Sequence, residues 1–241
     1  YVTPDIAYHL NKLERGFDRI IDIFGPDHAA QFPVVAAGVE AAGYDPSPIQ
    51  VVIHQAVILM DGDEARRMSK RKGQFVTLDE LVDEVGRDAV RYFILAYKPD
   101  AHLYFDLERA KAQSDENPVY TIQYAYVRAL GVLRQAAEVG VDDDGADVSL
   151  LTDPRELRLI RKMLELPQVV EYAVAQLEPH HLAIYALELA RVFHATYETV
   201  RVLHSETPPP LAKARLRLYK AARVVLERVL TLMGMTTPER M

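Results

Sequence analysis

The apolar residues of this chain change their period near Pro99, and that change divides the chain into two kinds of structure. Before Pro99, short branched-apolar runs alternate with helical stretches. Ile20, Ile21 and Ile23 predict a strand over residues 19–24, stopped by Gly25-Pro26. A helix from about His28 to Ala42 follows, with Gly43 as its stop, and then a second strand over 49–60. Strand, helix, strand at this spacing is a βαβ unit, for which parallel strands and a right-handed crossover are expected. Asp61-Gly62 is a hairpin-type pair. Thr77-Leu78-Asp79-Glu80 has the form of a capping box opening a helix to about Val85, and another helix is expected over 87–97. Beyond Pro99 the spacing is helical throughout, over 118–139, 154–176, 180–203 and 211–233, joined by Asp142-Asp143-Asp144-Gly145 and Pro208-Pro209-Pro210. The fold class expected is α/β followed by an all-α helical bundle.

Charge is unevenly placed. The 241 residues carry a net charge of −7 and no cysteine, which excludes a disulfide framework, a thiolate metal site and a cysteine nucleophile. No apolar run is long enough to cross a bilayer, and Tyr-Val-Thr-Pro-Asp at the start lacks the basic and apolar regions of a signal peptide, so a cytoplasmic setting is expected. Five of the seven residues from Arg66 to Lys72 are basic, followed by Gly73. Cations packed so densely repel one another unless an anion sits among them, which points to a phosphate-handling loop. Lys70 is placed to act as a point charge on a transferring phosphate, Ser69 to add a hydroxyl hydrogen bond, and Gly73 to let the loop move. A second basic concentration lies in the last helix, where Lys213, Arg217 and Lys220 share a face opposite the apolar one. One long polyanion touching both regions would account for the pair.

With these residues assembled, the chain resembles a class I aminoacyl-tRNA synthetase, and specifically the C-terminal portion of an arginyl-tRNA synthetase. Met68-Ser69-Lys70 is similar to the Lys-Met-Ser-Lys-Ser signature of that class, in the arginine-specific variant that continues with a basic residue and glycine. Tyr1-Val2-Thr3-Pro4-Asp5 through Arg15-Gly16-Phe17-Asp18 resembles the segment lining the arginine pocket. Gly25-Pro26-Asp27-His28 resembles a Gly-x-Asp-His turn, and Val85 to Phe93 the stretch after the signature loop. Asn117-Pro118-Val119-Tyr120, with Gln123 to Arg128, is similar to the start of the helical anticodon-binding domain, and Met233 to Met241 to the family's terminus. The resemblance covers essentially the whole chain. It implies residues 1–115 as the C-terminal part of a Rossmann-like catalytic domain, with the signature loop at 66–73, and 116–241 as the anticodon-binding domain.

The resemblance also implies roles. Tyr1, Asp5 and Asp27 would bind the substrate arginine, a carboxylate accepting bidentately from guanidinium; Asp5 could otherwise merely cap a helix starting at Ile6. His28, Gln55, Arg67, Met68 and Lys70 would contact ATP, with Met68, Ser69 and Lys70 as the catalytic group. Tyr124, Arg128, Tyr197, Arg201 and Met241 would meet tRNA, since unpaired anticodon bases stack on aromatic faces and arginine serves phosphates and base planes alike; aromatic residues at helical spacing are otherwise core. ATP is then a substrate accompanied by Mg²⁺, no structural metal is expected, and the partners are L-arginine, ATP and tRNA(Arg), acting on a monomer with no membrane contact. Two departures bear on activity. No His-x-Gly-His, the other half of the family's ATP site, occurs in the sequence, and Arg67 replaces the first signature lysine. The expectation is a fragment of an arginine–tRNA ligase, incomplete by itself; the alternative is a noncatalytic tRNA-binding module.

Overall fold

In the computed structural model, which describes residues 2–66 and 76–241, the chain divides into two compact units. The first comprises 1–58 with 98–104, and the second 59–97 with 105–241.

The first unit begins with helix α1 (Val2–Glu14). Strand β1 (Ile20–Phe24) pairs in parallel with β2 (Ile49–Ile53), Ile20 opposite Ile49 and Phe24 opposite Ile53. Between the strands lie a 3-10 turn, Pro26–His28, and helix α2 (Phe32–Ala41). The expected single helix over 28–42 is therefore two elements, with Pro33 in the first turn of α2, where its missing N–H costs nothing. Ile20, Val39 and Ile49 form the core, packed by Ile6, Leu10, Leu13 and Phe32. Gly38 lets α1 approach α2, because a Cβ there would run into the Ile6 side chain. Alternation along β1 buries Asp22 beside Ile20. Its carboxylate accepts from Lys12 Nζ at 2.7 Å and meets His9 Nε2 at 2.5 Å, so α1 is fastened to the strand by charge as well as by apolar contact. Burial alone would raise the Asp22 carboxyl, but the hydrogen bonds from Lys12 and His9 outweigh it and hold it below its ordinary value.

The expected strand over 49–60 is also two, β2 and β3 (Val57–Asp61), interrupted at His54-Gln55-Ala56. The run changes partner there: His54 N–H still donates to Phe24 O, whereas Gln55 N–H donates to Pro99 O. β3 then forms an antiparallel hairpin with β4 (Glu64–Ala65), Asp61 opposite Glu64. Gly62 sits at φ +61° in that turn, a conformation that suits glycine. β5 (Leu103–Asp106) flanks β3 on its other edge, a strand inside the region expected to be wholly helical.

In the second unit α3 (Leu78–Val85) opens with the expected capping box, Thr77 accepting from Glu80 N–H at 3.2 Å and Glu80 accepting from Thr77 N–H at 2.8 Å. α4 (Arg87–Leu95) and α5 (Leu107–Lys111) follow. The bundle consists of α6 (Pro118–Glu138), α7 (Pro154–Leu164), α8 (Leu166–Gln176), α9 (His180–Thr199) and α10 (Pro209–Leu232). The stretch expected as one helix over 154–176 breaks at Glu165, ahead of Pro167. α6 packs against α9 and α10 around Ile122, Ala125, Ala129, Leu189, Phe193, Leu226 and Leu230, all fully buried. α4 is locked to the far end of the same bundle: Arg91 Nε donates to Met233 O at 2.7 Å, and the Asp88 carboxylate accepts from Gln123 Nε2 at 2.7 Å and from Thr236 N–H at 3.1 Å.

Candidate functional site

The first unit gathers its candidate residues at the carboxyl ends of the parallel strands, the edge at which open α/β sheets bind ligands. The 3-10 turn after β1 carries Asp27 and His28, both exposed, and the segment after β2 carries Gln55. Asp5 lies inside the first turn of α1, not at its cap, which removes the capping explanation for this carboxylate. Gln31 Nε2 donates to Asp5 Oδ2 at 2.8 Å, and Gln31 Oε1 lies 3.2 Å from His28 Nδ1. Because the Gln31 oxygen can only accept, His28 donates through Nδ1. Its ring rests on Phe24 at 5.6 Å between centroids. Gln31 thus joins two residues that the sequence nominated separately, and nothing in the local pattern marked it. Tyr1, Arg67, Met68, Ser69 and Lys70 lie outside the described residues, as do Arg71, Lys72 and Gly73.

Arg66, the last described residue before that loop, is engaged internally. Its guanidinium reaches Glu84 at 3.0 and 3.2 Å and Asp61 at 3.3 Å, and its N–H donates to Leu59 O at 2.8 Å. Lys111 Nζ adds a third contact to Glu84 at 2.7 Å, and together these hydrogen bonds depress the Glu84 carboxyl to about 2. Arg66 is therefore held by carboxylates of its own chain.

The second unit assembles a different group. Tyr120, Tyr124 and Arg128 fall at i, i+4 and i+8 on one face of α6. The Arg128 guanidinium lies 4.4 Å from the Tyr124 ring centre and 4.7 Å from that of Tyr197 on α9, while Tyr120 stacks on Tyr124 at 5.6 Å. His194 completes the cluster with Nδ1 3.1 Å from Arg128 Nη1 and Nε2 3.0 Å from Thr121 O. Tyr120, Tyr124, Arg128 and His194 line a cleft of about 500 Å³ together with Asp115, Arg191 and Glu198. Planar cation and aromatic faces in one cleft form a platform for a flat, electron-rich ring such as a nucleic-acid base. Tyr124, Arg128 and Tyr197 were nominated by sequence; Tyr120 and His194 were not, although the four-residue spacing of Tyr120 and Tyr124 was a usable signal. Arg201 stands apart, exposed beside a small hollow shared with Tyr197 and Tyr219, and Met241 borders another cleft lined by Asp88, Tyr120, Gln123 and Thr236.

The basic face of α10 is not open in the way its sequence implies. Lys213 Nζ reaches Asp142 at 2.8 Å, Lys220 Nζ reaches Asp143 at 3.1 Å, and Arg217 pairs with the same Asp143 carboxylate while donating to its carbonyl at 2.7 Å. The acidic connector after α6 therefore neutralises the stripe from within the chain. One group of three possible metal ligands occurs among the described residues, Glu178, His180 and His181. Glu178 and His181 already share a contact at 3.0 Å, and the set adjoins the N-terminus of α9, whose positive pole opposes a cation.

Comparison with known proteins decides the family. Residues 1–116 match the model of tRNA synthetases class I (R), catalytic domain, and 122–241 that of the DALR anticodon binding domain. The chain belongs to the arginyl-tRNA synthetase family. It is 48% identical over its whole length to an arginine–tRNA ligase from Moorella thermoacetica, of which it spans 43%, and 48% identical to one from Heliobacterium modesticaldum, of which it spans 44%. An arginyl-tRNA synthetase structure from Campylobacter jejuni superposes with a TM-score of 0.87 at 30% identity, covering all of this chain and 52% of that one. The chain thus spans less than half the length of these curated relatives. A mixed α/β region followed by helices is the arrangement shared with that structure. No helix among the described residues is long and apolar enough to cross a membrane.

Proposed function

We propose that this chain is the C-terminal portion of an ATP-dependent arginine–tRNA ligase, with residues 1–115 completing a catalytic domain and 116–241 binding the anticodon region of tRNA(Arg). The observation that carries the catalytic half of this reading is the Asp5–Gln31–His28 line at the carboxyl edge of the parallel pair. A half-buried carboxylate with one neutral partner among the described residues is suited to accept from a substrate guanidinium. Asp27 and the phenol of Tyr1 would close the arginine site, and His28 and Gln55 would face ATP, which arrives with Mg²⁺. In the reaction so assigned, the arginine carboxylate attacks the α-phosphate to give arginyl-adenylate as pyrophosphate leaves; the ribose hydroxyl at the tRNA terminus then attacks the arginyl carbonyl, forming the ester and releasing AMP. Lys70, with Arg67, Met68 and Ser69, would stabilise the charge that develops on the phosphate. Arg128 with Tyr124 and Tyr197, and separately Arg201 and Met241, would contact tRNA. A monomer in the cytoplasm completes the reading.

The test is arginine-dependent exchange of pyrophosphate into ATP by the full-length protein. Asp5→Asn keeps the shape but removes the charge, and is expected to raise the KM for arginine at least tenfold, the loss of one charge-assisted contact. An unchanged KM for arginine would remove Asp5 from the substrate site.

A further inference from the structure

The hydrogen bonds around His194 define a chemical state that the anticodon reading leaves unused. Arginine has only donors, so His194 Nδ1, 3.1 Å from Arg128 Nη1, must accept. A carbonyl only accepts, so Nε2, 3.0 Å from Thr121 O, must donate. Both bonds exist together only in the neutral ring protonated at Nε2. We propose that His194 is the positioning residue for Arg128, and that this neutral tautomer is the form that presents the guanidinium to an unpaired tRNA base. This rests on the reading that Arg128 meets tRNA.

The surroundings show how the arrangement switches. His194 is half-buried among Tyr120, Tyr124, Arg128 and the Thr121 carbonyl of α6, Arg191 and Glu198 of its own helix, and Asp115 from the segment before α6. Burial is the main influence that pushes its pKa below 6.5; the Arg128 charge acts the same way, while the Thr121 hydrogen bond and Glu198 oppose both. A proton added at Nδ1 turns the acceptor into a cationic donor facing a guanidinium. Arg128 then loses its anchor and is repelled, and Glu198, 3.8 Å away and two-thirds exposed, is the carboxylate that can receive it at the rim. The planar group leaves the two tyrosine faces, and the base loses its partner. Because the folded ring has a pKa depressed below 6.5, the anchored form still prevails at 6.5 and is lost only as the pH falls through that lower value.

The experiment measures binding of an arginine-tRNA anticodon stem-loop to the full-length protein from pH 8 to pH 5 at fixed ionic strength. Wild type is expected to weaken about tenfold on acidification, one stacked contact's worth. His194→Asn offers an acceptor near the Nδ1 position that cannot titrate there, but lacks the Thr121 bond. It should bind about threefold more weakly at pH 8 and show no further acid step. Arg128→Ala should bind about tenfold more weakly at pH 8 and also lose the step, since the step acts through Arg128. An acid step that persists in His194→Asn or in Arg128→Ala overturns the inference, as does binding that tightens on acidification through His194, the sign of an imidazolium on a phosphate. Arg128→Ala binding as tightly as wild type at pH 8 refutes the tRNA contact itself, a result distinct from the loss of the histidine's role alone.

Discussion

Glu156 is the most deeply buried charge described in the helical unit, and its removal should be correspondingly costly. Its side chain is 1% exposed, with Oε1 2.7 Å from Arg215 Nε and Oε2 accepting from Asp153 N–H at 3.0 Å in the capping box of α7. Arg215 also donates to Arg201 O at 2.8 Å, so one carboxylate ties α7 to α10 and, through Arg215, to the segment after α9. Breaking a buried pair by deleting one partner costs about 3–5 kcal/mol because the other charge is left uncompensated. Arg215 is 16% exposed and keeps the Arg201 carbonyl, which places Glu156→Ala near the lower end, at about 3 kcal/mol. The lost cap adds about 0.5–1 kcal/mol. The total, about 3.5–4 kcal/mol, corresponds to a fall of about 7–16 °C in the transition of a unit this size. Calorimetry of the full-length protein, following the transition of this unit, measures it. Replacing both partners together, Glu156→Leu with Arg215→Met, leaves no orphaned charge and should recover most of the loss. A single-variant cost below about 1 kcal/mol, or a double variant as unstable as Glu156→Ala, would refute the reasoning.

Two further perturbations test the charge arrangement. Glu84 has a carboxyl depressed to about 2 from an ordinary 4.5, so its ion pairs stabilise the fold fully above pH 4.5 and are lost as the pH falls toward 2. Glu84→Gln should therefore flatten the dependence of melting temperature on pH in that window; parallel curves for variant and wild type would contradict the assignment. Asp143→Asn releases Arg217 and Lys220 from their shared carboxylate. If tRNA passes within reach of α10, binding tightens and the slope of log affinity against log salt steepens by about 0.7–0.9 per phosphate gained; an unchanged slope places this face away from the nucleic acid.

How much of this was legible depends on how local the cause is. The Thr77 capping box and the turn at Gly62 arise from neighbours in sequence and appear where the spacing puts them, and on α10 Leu218, Ala222, Leu226 and Val229 are buried as their period predicts, although Leu232 at the helix end is exposed. The break at 54–56 was invisible because an apolar run reads the same whether it keeps one strand partner or exchanges it. β5 was missed for a related reason: four residues carry too little periodicity to interrupt a helical pattern. At the site, Asp5 and His28 were named from a family pattern, but Gln31, which connects them, has no marker in a single sequence. His194 was equally silent, since its partners lie 66 and 73 positions away on another helix.

The same distance effect alters the meaning of the chain's basic residues. Read locally, Arg66 and the stripe Lys213, Arg217, Lys220 are cations awaiting a polyanion; in the fold, Glu84, Asp61 and the Asp142–Asp143 connector already answer them. Besides any contribution to stability, these pairs lower the positive field over those faces. Arg128 differs in kind: its closest partners are two aromatic faces and a neutral imidazole, and the nearest carboxylate stands 3.8 Å off. A guanidinium held by uncharged neighbours keeps its charge, and its partly exposed N–H edge beside the two tyrosine rings can meet an incoming base. If the helical unit meets tRNA through this cluster, as proposed, a tRNA competitor stripped of its anticodon bases should bind it with most of the salt dependence but reduced affinity; equal affinity would remove the cluster from base recognition.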